Sequence, residues 1–424
     1  MKISLDTNIL IDDPKVVFDD SREFVLSFTV IRELDKLKRN PDLKRAAQTA
    51  IRNVWARYQE GKIEIVNVPD LLSESPDERI INDTKDAGAS ILSNDIAVRI
   101  IAKAHGVDIS EYELEEAVDR NYTGYVTVEG DVDYESNYVQ IKEMQLEEFN
   151  ERFGTDLKEN MYCIVDRVTD KDDIWLNREG TVSRISQSMK PFKDAGVLIT
   201  PLDSVQMCAL HAVFDPEVPL VVLDGMIGTG KTMLVLAGVL ARACGQKRYA
   251  DFDTVYVSKP PVSTNRDLYT GFKPGSREEK LGGHLGGIKG NLEFLLDKRG
   301  DKKKKSRDGE EAQPTKSDQI WYEYFESKDI DEAQGDSLHN AVWIIDEWQL
   351  LNEDAAKMVM SRISDGGKIV LVGDTEGQTY GVNRANEGFK PLFEWLGKAP
   401  EFSYIKLEKI YRSPLVEFIA KVYE

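Results

Sequence analysis

Short apolar runs alternate with helical spacings over the first 120 residues. Residues 2–5 and 24–29 are apolar and bounded by polar positions, so they read as strands, with further strands near 62–66 and 89–93. Residues 30–38, 42–60, 76–87 and 95–105 carry the periodicity of helices. Strands alternating with helices predict a parallel, three-layer α/β sheet, whose sites form at the carboxyl ends of the strands. The pattern shortens from 121 to 200. Stretches 125–128, 138–141, 162–168, 174–177 and 181–185 are β-rich between Gly, Asp and Asn turns, and a helix is expected near 145–153. Beyond 200, residues 220–223, 254–258, 341–347 and 368–372 read as buried strands. Three segments follow: an α/β segment 1–120, a β-rich linker module 121–200 and a second α/β segment 201–424.

The first strand of the last segment leads directly into Gly225-x-x-x-x-Gly230-Lys231-Thr232, and Leu234, Leu236, Val239 and Leu240 then continue as a helix. Strand, glycine loop and helix make this Walker A match a phosphate site. Gly225, Gly228 and Gly230, with Thr229 between the last two, let backbone N–H groups converge on phosphate oxygens. The helix N-terminus adds partial positive charge. Lys231 is expected to reach the β- and γ-phosphates of ATP, and the Thr232 hydroxyl to hold Mg²⁺. The strand 341–347 ends in paired acids, a Walker B pattern. Asp346 would bind the nucleotide's Mg²⁺, and Glu347 would act as general base on water. Thr200 or Asp203 can cap a helix carrying Gln206, which is either an adenine reader or a surface side chain. Gln378, after the strand ending Gly373-Asp374, is placed to sense the γ-phosphate. Arg412 precedes an apolar-periodic helix and suits either an arginine finger or a surface ion pair. No second core of this kind fits after it, so a ring is expected, in which a neighbour supplies the finger.

Acidic residues mark the strand ends of the first segment. Asp6 follows the first strand, Glu33 the second, Asp77 opens a helix and Asp95 follows the strand near 89–93. Four carboxylates at one sheet edge repel each other unless cations bind between them, and Mg²⁺ or Mn²⁺ is the expected occupant. Two such ions would support phosphodiester hydrolysis. Individually, Asp77 and Asp95 also suit helix N-caps.

Charge qualifies this picture. The chain has 424 residues and a net charge of −20, and the acidity is spread along it, which is not the usual footprint of a nucleic-acid binder. Residues 32–62 are the local exception, with nine Lys/Arg against four acids, and Arg45 and Arg52 lie seven apart on one helix face. The three cysteines are far apart and form no metal or disulfide pattern. No signal-like or membrane-spanning run is present, so a cytoplasmic location is expected, with no membrane partner. Residues 297–318, with the Lys302–Lys305 run, read as a solvated low-complexity insert, and residues 271–280 as part of a long loop.

Two resemblances organise these motifs. Asp6-Thr7-Asn8, Glu33, Asp77 and Ser93-Asn94-Asp95 resemble the pattern of PIN domains, which are metal-dependent ribonucleases. The resemblance implies metal-ligand roles for Asp6, Glu33, Asp77 and Asp95, with Glu78 and Asp83 as near alternatives to Asp77. The third segment resembles the PhoH family of RecA-like P-loop ATPases, through the 225–232 loop, PGSREEK, SLHNAVWIIDEWQ, VGDTEGQ and YRSP. It departs at Gln334-Gly335-Asp336, Lys259-Pro260 and Trp348. A PIN domain ahead of a PhoH domain is similar to the PhoH2 type of arrangement. It implies an ATP-driven RNA helicase or translocase coupled to a metal-dependent endoribonuclease. The expected partner is RNA, single-stranded, and family analogy implies a homo-hexameric ring. The competing readings are a regulatory ATPase whose PIN-like domain only binds RNA or protein, and a DNA helicase.

Overall fold

The computed structural model describes residues 2–40, 43–66, 75–93, 95–110, 121–131, 134–138, 140–167, 171–245, 251–260, 277–297, 314–330, 335, 337–375 and 388–411; for residues 45, 136 and 277–285 it describes the backbone alone. Contacts divide the chain into two units, Met1–Ala117 with Gly381–Glu387, and Val118–Tyr380 with Gly388–Glu424.

The first unit alternates β1 (Lys2–Leu5), α1 (Thr7–Asp12), β2 (Glu23–Ser27), α2 (Phe28–Leu37), α3 (Lys44–Gln59), β3 (Ile63–Val66), α4 (Pro76–Asp86), β4 (Ser90–Leu92) and α5 (Ile96–Ala104). The strands pair in parallel in the order β3-β2-β1-β4. Ile3 and Leu5 of β1, Phe24 and Leu26 of β2, and Val30 and Leu34 of α2 fill one apolar core. Polar caps fix where each helix starts. Asp6 caps α1, Ser27 caps α2 and Asp95 caps α5. Ser75 forms a capping box with Glu78 at α4, so Asp77 lies inside the first turn and is not the cap expected from sequence. The six-residue α1 has too little periodicity to be legible beforehand.

The second unit begins with β5 (Tyr125–Glu129), β6 (Glu143–Gln145), α6 (Leu146–Phe153), β7 (Tyr162–Asp166), β8 (Asp173–Arg178), β9 (Thr181–Arg184) and α7 (Lys190–Asp194). Their sheet runs β5-β7-β8-β9-β6, parallel between β5 and β7 and antiparallel elsewhere. Among its described residues, the strand expected at 138–141 is not formed. Tyr134–Tyr138 is a π-helical turn instead, and pairing starts later at β6. The cause is packing: Tyr134 is buried, its hydroxyl donates to Asp173 at 2.6 Å, and its ring packs on Tyr138 and Phe153.

The rest comprises α8 (Ser204–Phe214), β10 (Leu220–Asp224), α9 (Lys231–Ala243), β11 (Thr254–Ser258), α10 (Arg277–Leu296), α11 (Lys316–Tyr324), β12 (Phe325–Ser327), β13 (Ala341–Asp346), α12 (Glu353–Met360), β14 (Lys368–Gly373), α13 (Lys390–Phe393) and β15 (Phe402–Lys406). The six strands are parallel, in the order β12-β11-β13-β14-β10-β15. Their near-continuous apolar runs are what a sheet buried on both faces requires. Tyr162, Ile164, Ile174 and Leu176 of the five-stranded sheet join the same core as Leu210 and Val213 of α8 and Leu234 and Val235 of α9.

Two loop expectations are corrected. Residues 277–280 belong to α10, and 316–318 to α11, which Thr315 and Asp318 start with a capping box. Glycines at 282, 283, 286, 287 and 290 lower the helix propensity of α10, yet Ile288, Leu292, Leu295 and Leu296 are buried in the core, and packing prevails. No helix among the described residues is long and apolar enough to cross a membrane.

Candidate active sites

In the six-stranded sheet, register brings the phosphate loop and the acids together. Asp224 at the end of β10 lies opposite Gly373 of β14, and Asp346 of β13 lies opposite Val372. The carboxyl ends of three neighbouring strands therefore meet at one edge. A cleft of about 860 Å³ opens there, lined by Gly228, Gly230, Lys231, Thr232, Asp346, Glu347, Gly373 and Asp374, with Leu198, Leu202, Phe294 and Tyr411 giving it an apolar side.

The loop conformation requires glycine. Gly225, Gly228 and Gly230 have φ of 135°, 90° and 94°. A Cβ on Gly225 would stand 2.1 Å from the Leu407 carbonyl oxygen. Thr229 is buried, and its hydroxyl donates to the Met226 carbonyl at 3.0 Å, closing the loop on itself. Lys231 opens α9. Its Nζ donates to the carbonyls of Gly225 and Met226, the latter at 2.8 Å. Burial pulls its pKa below the ordinary lysine value, while Asp374, Asp224, Glu347 and Asp346 oppose that shift. Thr232 follows in the first turn and faces the cleft.

Asp346 is held above the usual carboxylate range by burial and by the charge of Glu347. Glu347 adopts a left-handed backbone, φ 57° and ψ 38°, costly for a residue with a Cβ. Its carboxylate is held at both oxygens: Gln349 Nε2 donates to Oε2 at 2.8 Å, and Lys259 Nζ lies 3.4 Å from Oε1. Gln349 in turn requires glycine at 373, where a Cβ would come within 2.1 Å of its Oε1.

Gln206 is buried in α8, whose cap is Asp203. Its Oε1 accepts from the Leu202 N–H at 2.9 Å and its Nε2 donates to the Thr229 carbonyl at 3.1 Å, so the amide ties the loop before α8 to the phosphate loop. Gln378 and Arg412 lie outside the described residues.

Sequence reasoning missed Asp224, a fully buried carboxylate. Its Oδ1 accepts from the N–H groups of Gly225 at 2.8 Å and Thr375 at 2.9 Å. Its Oδ2 accepts from the Thr375 hydroxyl at 2.5 Å and the Tyr404 hydroxyl at 2.8 Å. It fixes the start of the phosphate loop to the turn after β14 and to β15. An acid closing the apolar run 220–223 was the available signal. Tyr411 was overlooked beside Arg412; its N–H donates to the Gly228 carbonyl at 3.0 Å and its hydroxyl to Asp203.

In the first unit, Asp6 is only 4% exposed. It accepts from the Ser93 hydroxyl at 2.5 Å and the Thr7 N–H at 2.6 Å. Burial pushes its pKa up to about 6 against these two hydrogen bonds, and the charges of Glu33 and Asp77 push in the same direction as burial. Glu33 accepts from the Thr7 hydroxyl at 2.5 Å. Asp6, Glu33 and Asp77 thus share one electrostatic neighbourhood. Both alternatives to Asp77 are engaged elsewhere, Glu78 in the capping box and Asp83 as acceptor from the Ser27 hydroxyl. Asp95 accepts from the Ala97 N–H at 2.7 Å as cap of α5, and its own N–H donates to the Ser93 hydroxyl at 3.1 Å. Among the described residues, no three His, Cys, Asp or Glu are arranged closely enough to hold an ion. The donor set suits a hard divalent cation nonetheless: it is all carboxylate oxygen, and a buried acid raised by neighbouring acids is relieved by positive charge. In the basic patch, Arg57 is structural: it is buried, donates to the Val17 carbonyl at 2.9 Å and pairs with Asp20 and Glu60.

Residues 198–424 match the family model described as PhoH-like protein, and residues 3–113 match that of the PIN domain. Protein PhoH2 of Bacillus subtilis (strain 168) is 26% identical over 459 residues, covering 98% of this chain and 98% of that one. Protein PhoH2 of Mycolicibacterium smegmatis is 24% identical, covering 99% and 96%. Protein PhoH2 of Thermobispora bispora is 23% identical, covering 99% and 95%. The chain belongs to the PhoH-like protein family and carries a PIN domain in its N-terminal part.

Proposed function

We propose that this chain hydrolyses ATP to move along or unwind RNA, and that its PIN domain is a metal-dependent endoribonuclease. The observation that carries the reading is the convergence of the 225–230 loop, Lys231, Thr232, Asp346 and Glu347 on one cleft edge. The triphosphate would lie along the loop, with Lys231 exchanging its two carbonyl acceptors for phosphate oxygens. Thr232 and Asp346 would hold the nucleotide's Mg²⁺, which supplies charge neutralisation at the β- and γ-phosphates. Glu347 would orient and deprotonate the attacking water. Leu198, Leu202 and Phe294 offer the base an apolar side, and Gln206 holds that side against the loop. By position, Gln378 would sense the γ-phosphate, and Arg412 would serve a neighbouring subunit's site in a homo-oligomeric ring, hexameric by family analogy.

At the PIN site, Asp6, Glu33, Asp77 and Asp95 would hold Mg²⁺ or Mn²⁺, which supplies an activated water and neutralises the scissile phosphate. Asp6 is the most buried of the four, so a single strand that can bend toward it fits better than a rigid duplex.

Two variants test the two halves separately. Lys231→Ala should lose ATP turnover by at least about a hundredfold while RNA cleavage of an unpaired strand persists, since the lost ammonium stabilises transferring phosphate. Asp6→Asn should lose cleavage in Mg²⁺ or Mn²⁺ while ATP turnover persists. Unchanged cleavage in Asp6→Asn would remove the nuclease assignment and leave a PIN domain that only binds. Unwinding of DNA but not RNA duplexes would instead establish a DNA helicase.

A further inference from the structure

An exposed aromatic pair on α3 has no role in either site. Trp55 is 57% exposed and Tyr58 is 45% exposed. They lie three residues apart, so they share a helix face. Their rings are stacked, with centroids 6.0 Å apart and planes inclined by 29°. Neither contributes to the core, which α3 meets through Ala46, Ala47, Ala50 and Val54.

The helix that carries them has an unusual charge. Its sixteen residues, KRAAQTAIRNVWARYQ, include four Lys/Arg and no acid, in a chain of net charge −20. Arg52 is exposed one turn before Trp55, and Lys62 is exposed just past the helix, 3.8 Å from Asp20. Positive charge flanking stacked rings suits a polyanion that offers flat apolar faces. Unpaired nucleotides offer both, whereas the bases of a duplex are already stacked on each other.

We propose that Trp55 and Tyr58 form a stacking platform for the bases of single-stranded RNA, with Arg52 and Lys62 contacting the flanking phosphates. The proposal rests on reading the PIN domain as acting on RNA. The platform stands at the end of α3 that leads into the amino end of β3, whereas Asp6, Glu33 and Asp77 serve the carboxyl edge of that sheet. It therefore grips the strand away from the bond that is cut. Its loss weakens the hold on long strands and leaves the chemical step intact.

The test uses the full chain with Asp6→Asn to prevent cleavage, titrated with a 20-nucleotide poly(U) strand. Trp55→Ala/Tyr58→Ala should weaken binding about tenfold or more, and Trp55→Phe/Tyr58→Phe should restore most of it. Arg52→Ala should reduce the slope of log affinity against log salt by about 0.7, the release expected for one phosphate of a single strand. In the cleaving protein, the double alanine variant should raise KM for the 20-mer with kcat unchanged, and should leave a trinucleotide substrate unaffected. Equal affinity of the double alanine variant and its parent, with helicity by circular dichroism intact, overturns the platform and leaves the RNA function standing. Failure of the Asp6→Asn protein to bind the strand at all overturns the RNA reading itself. A change in oligomeric state with RNA affinity unchanged shows instead that this face joins copies of the chain.

Discussion

At the residue scale, Glu347 is tightly constrained in the ATP cleft. A left-handed backbone aims it, Gln349 holds one carboxylate oxygen and Lys259 faces the other. The buried carboxyl end of β14 makes this possible, because Gly373 leaves room for the Gln349 side chain. As the proposed general base, Glu347 works only from the right position, and a misplacement of about 1 Å can cost a hundredfold. Lys259 is one of the positions at which the chain departs from the family pattern, and its contact with Glu347 gives that position a purpose within this chain. Lys259→Met should therefore lower kcat for ATP about tenfold with little change in KM, the mark of an interaction that acts on the chemical step. Lys259→Arg should retain most of the rate. A faster Lys259→Met enzyme would show that the pair restrains Glu347 rather than positions it. Steady-state ATPase kinetics of the two variants separate these outcomes.

At the scale of elements, α8 and β14 carry a buried set of titratable groups that governs stability rather than chemistry. His211 of α8 is within 2.9 Å of the Tyr162 hydroxyl on β7. Burial, outweighing the nearby Asp215 charge, pulls its pKa down to about 4, and the charges of Arg178 and Lys368 act in the same direction. Lys368 at the start of β14 donates to the carbonyls of Ala212 and Asp215 at 2.9 and 2.6 Å, and burial lowers it to about 7. His211 is thus neutral in the fold but takes up a proton in the unfolded chain below its ordinary value of 6.5. Its contribution is present above pH 6.5 and is lost as pH falls toward 4, about 2 kcal/mol of it between pH 7 and 5. Urea denaturation at the two pH values should show this loss in the second unit, and His211→Gln should shrink it by that amount. These groups were not legible in the sequence, because a lone histidine and a strand-initial lysine carry no motif. What was legible shared one property, local pattern. The strand β10, the glycines of its loop and the acids closing β13 are fixed by neighbours in sequence. So is Asp6 after β1. Elements decided by tertiary contact escaped: α10, whose glycines argue against a helix that the core imposes, and the Tyr134–Tyr138 turn, held by Asp173. Asp224 escaped for the same reason, since its partners Thr375 and Tyr404 are about 150 and 180 residues away.

At the scale of the whole molecule, the question is why these two units share a chain. The PhoH2 relatives align over nearly their full lengths, so the pairing of PIN and PhoH parts is common to them. A shared chain keeps any strand handled by one unit at high effective concentration for the other. The net charge of −20 would make that sharing useful for a polyanionic strand, which is repelled except at basic patches such as α3. If the PIN domain cuts RNA as proposed, a phosphodiester must approach Asp6, which is only 4% exposed, and an unpaired strand bends toward it more easily than a base-paired one. On the proposed function, ATP hydrolysis matters only for substrates that must first be opened. On an unpaired RNA, the native chain and Lys231→Ala should cut at equal rates, with or without ATP. On an RNA whose cleavage segment is locked in a stable hairpin, the native chain with ATP should cut at least about tenfold faster than Lys231→Ala, because opening even a few base-pair steps costs more than the 1.4 kcal/mol that a tenfold change represents. A non-hydrolysable ATP analogue should reproduce the defect in the native chain. Gel-resolved cleavage time courses on the two RNAs measure the ratio directly, and equal cutting of the hairpin by both proteins would mean that the ATP cleft serves something other than delivery of the strand.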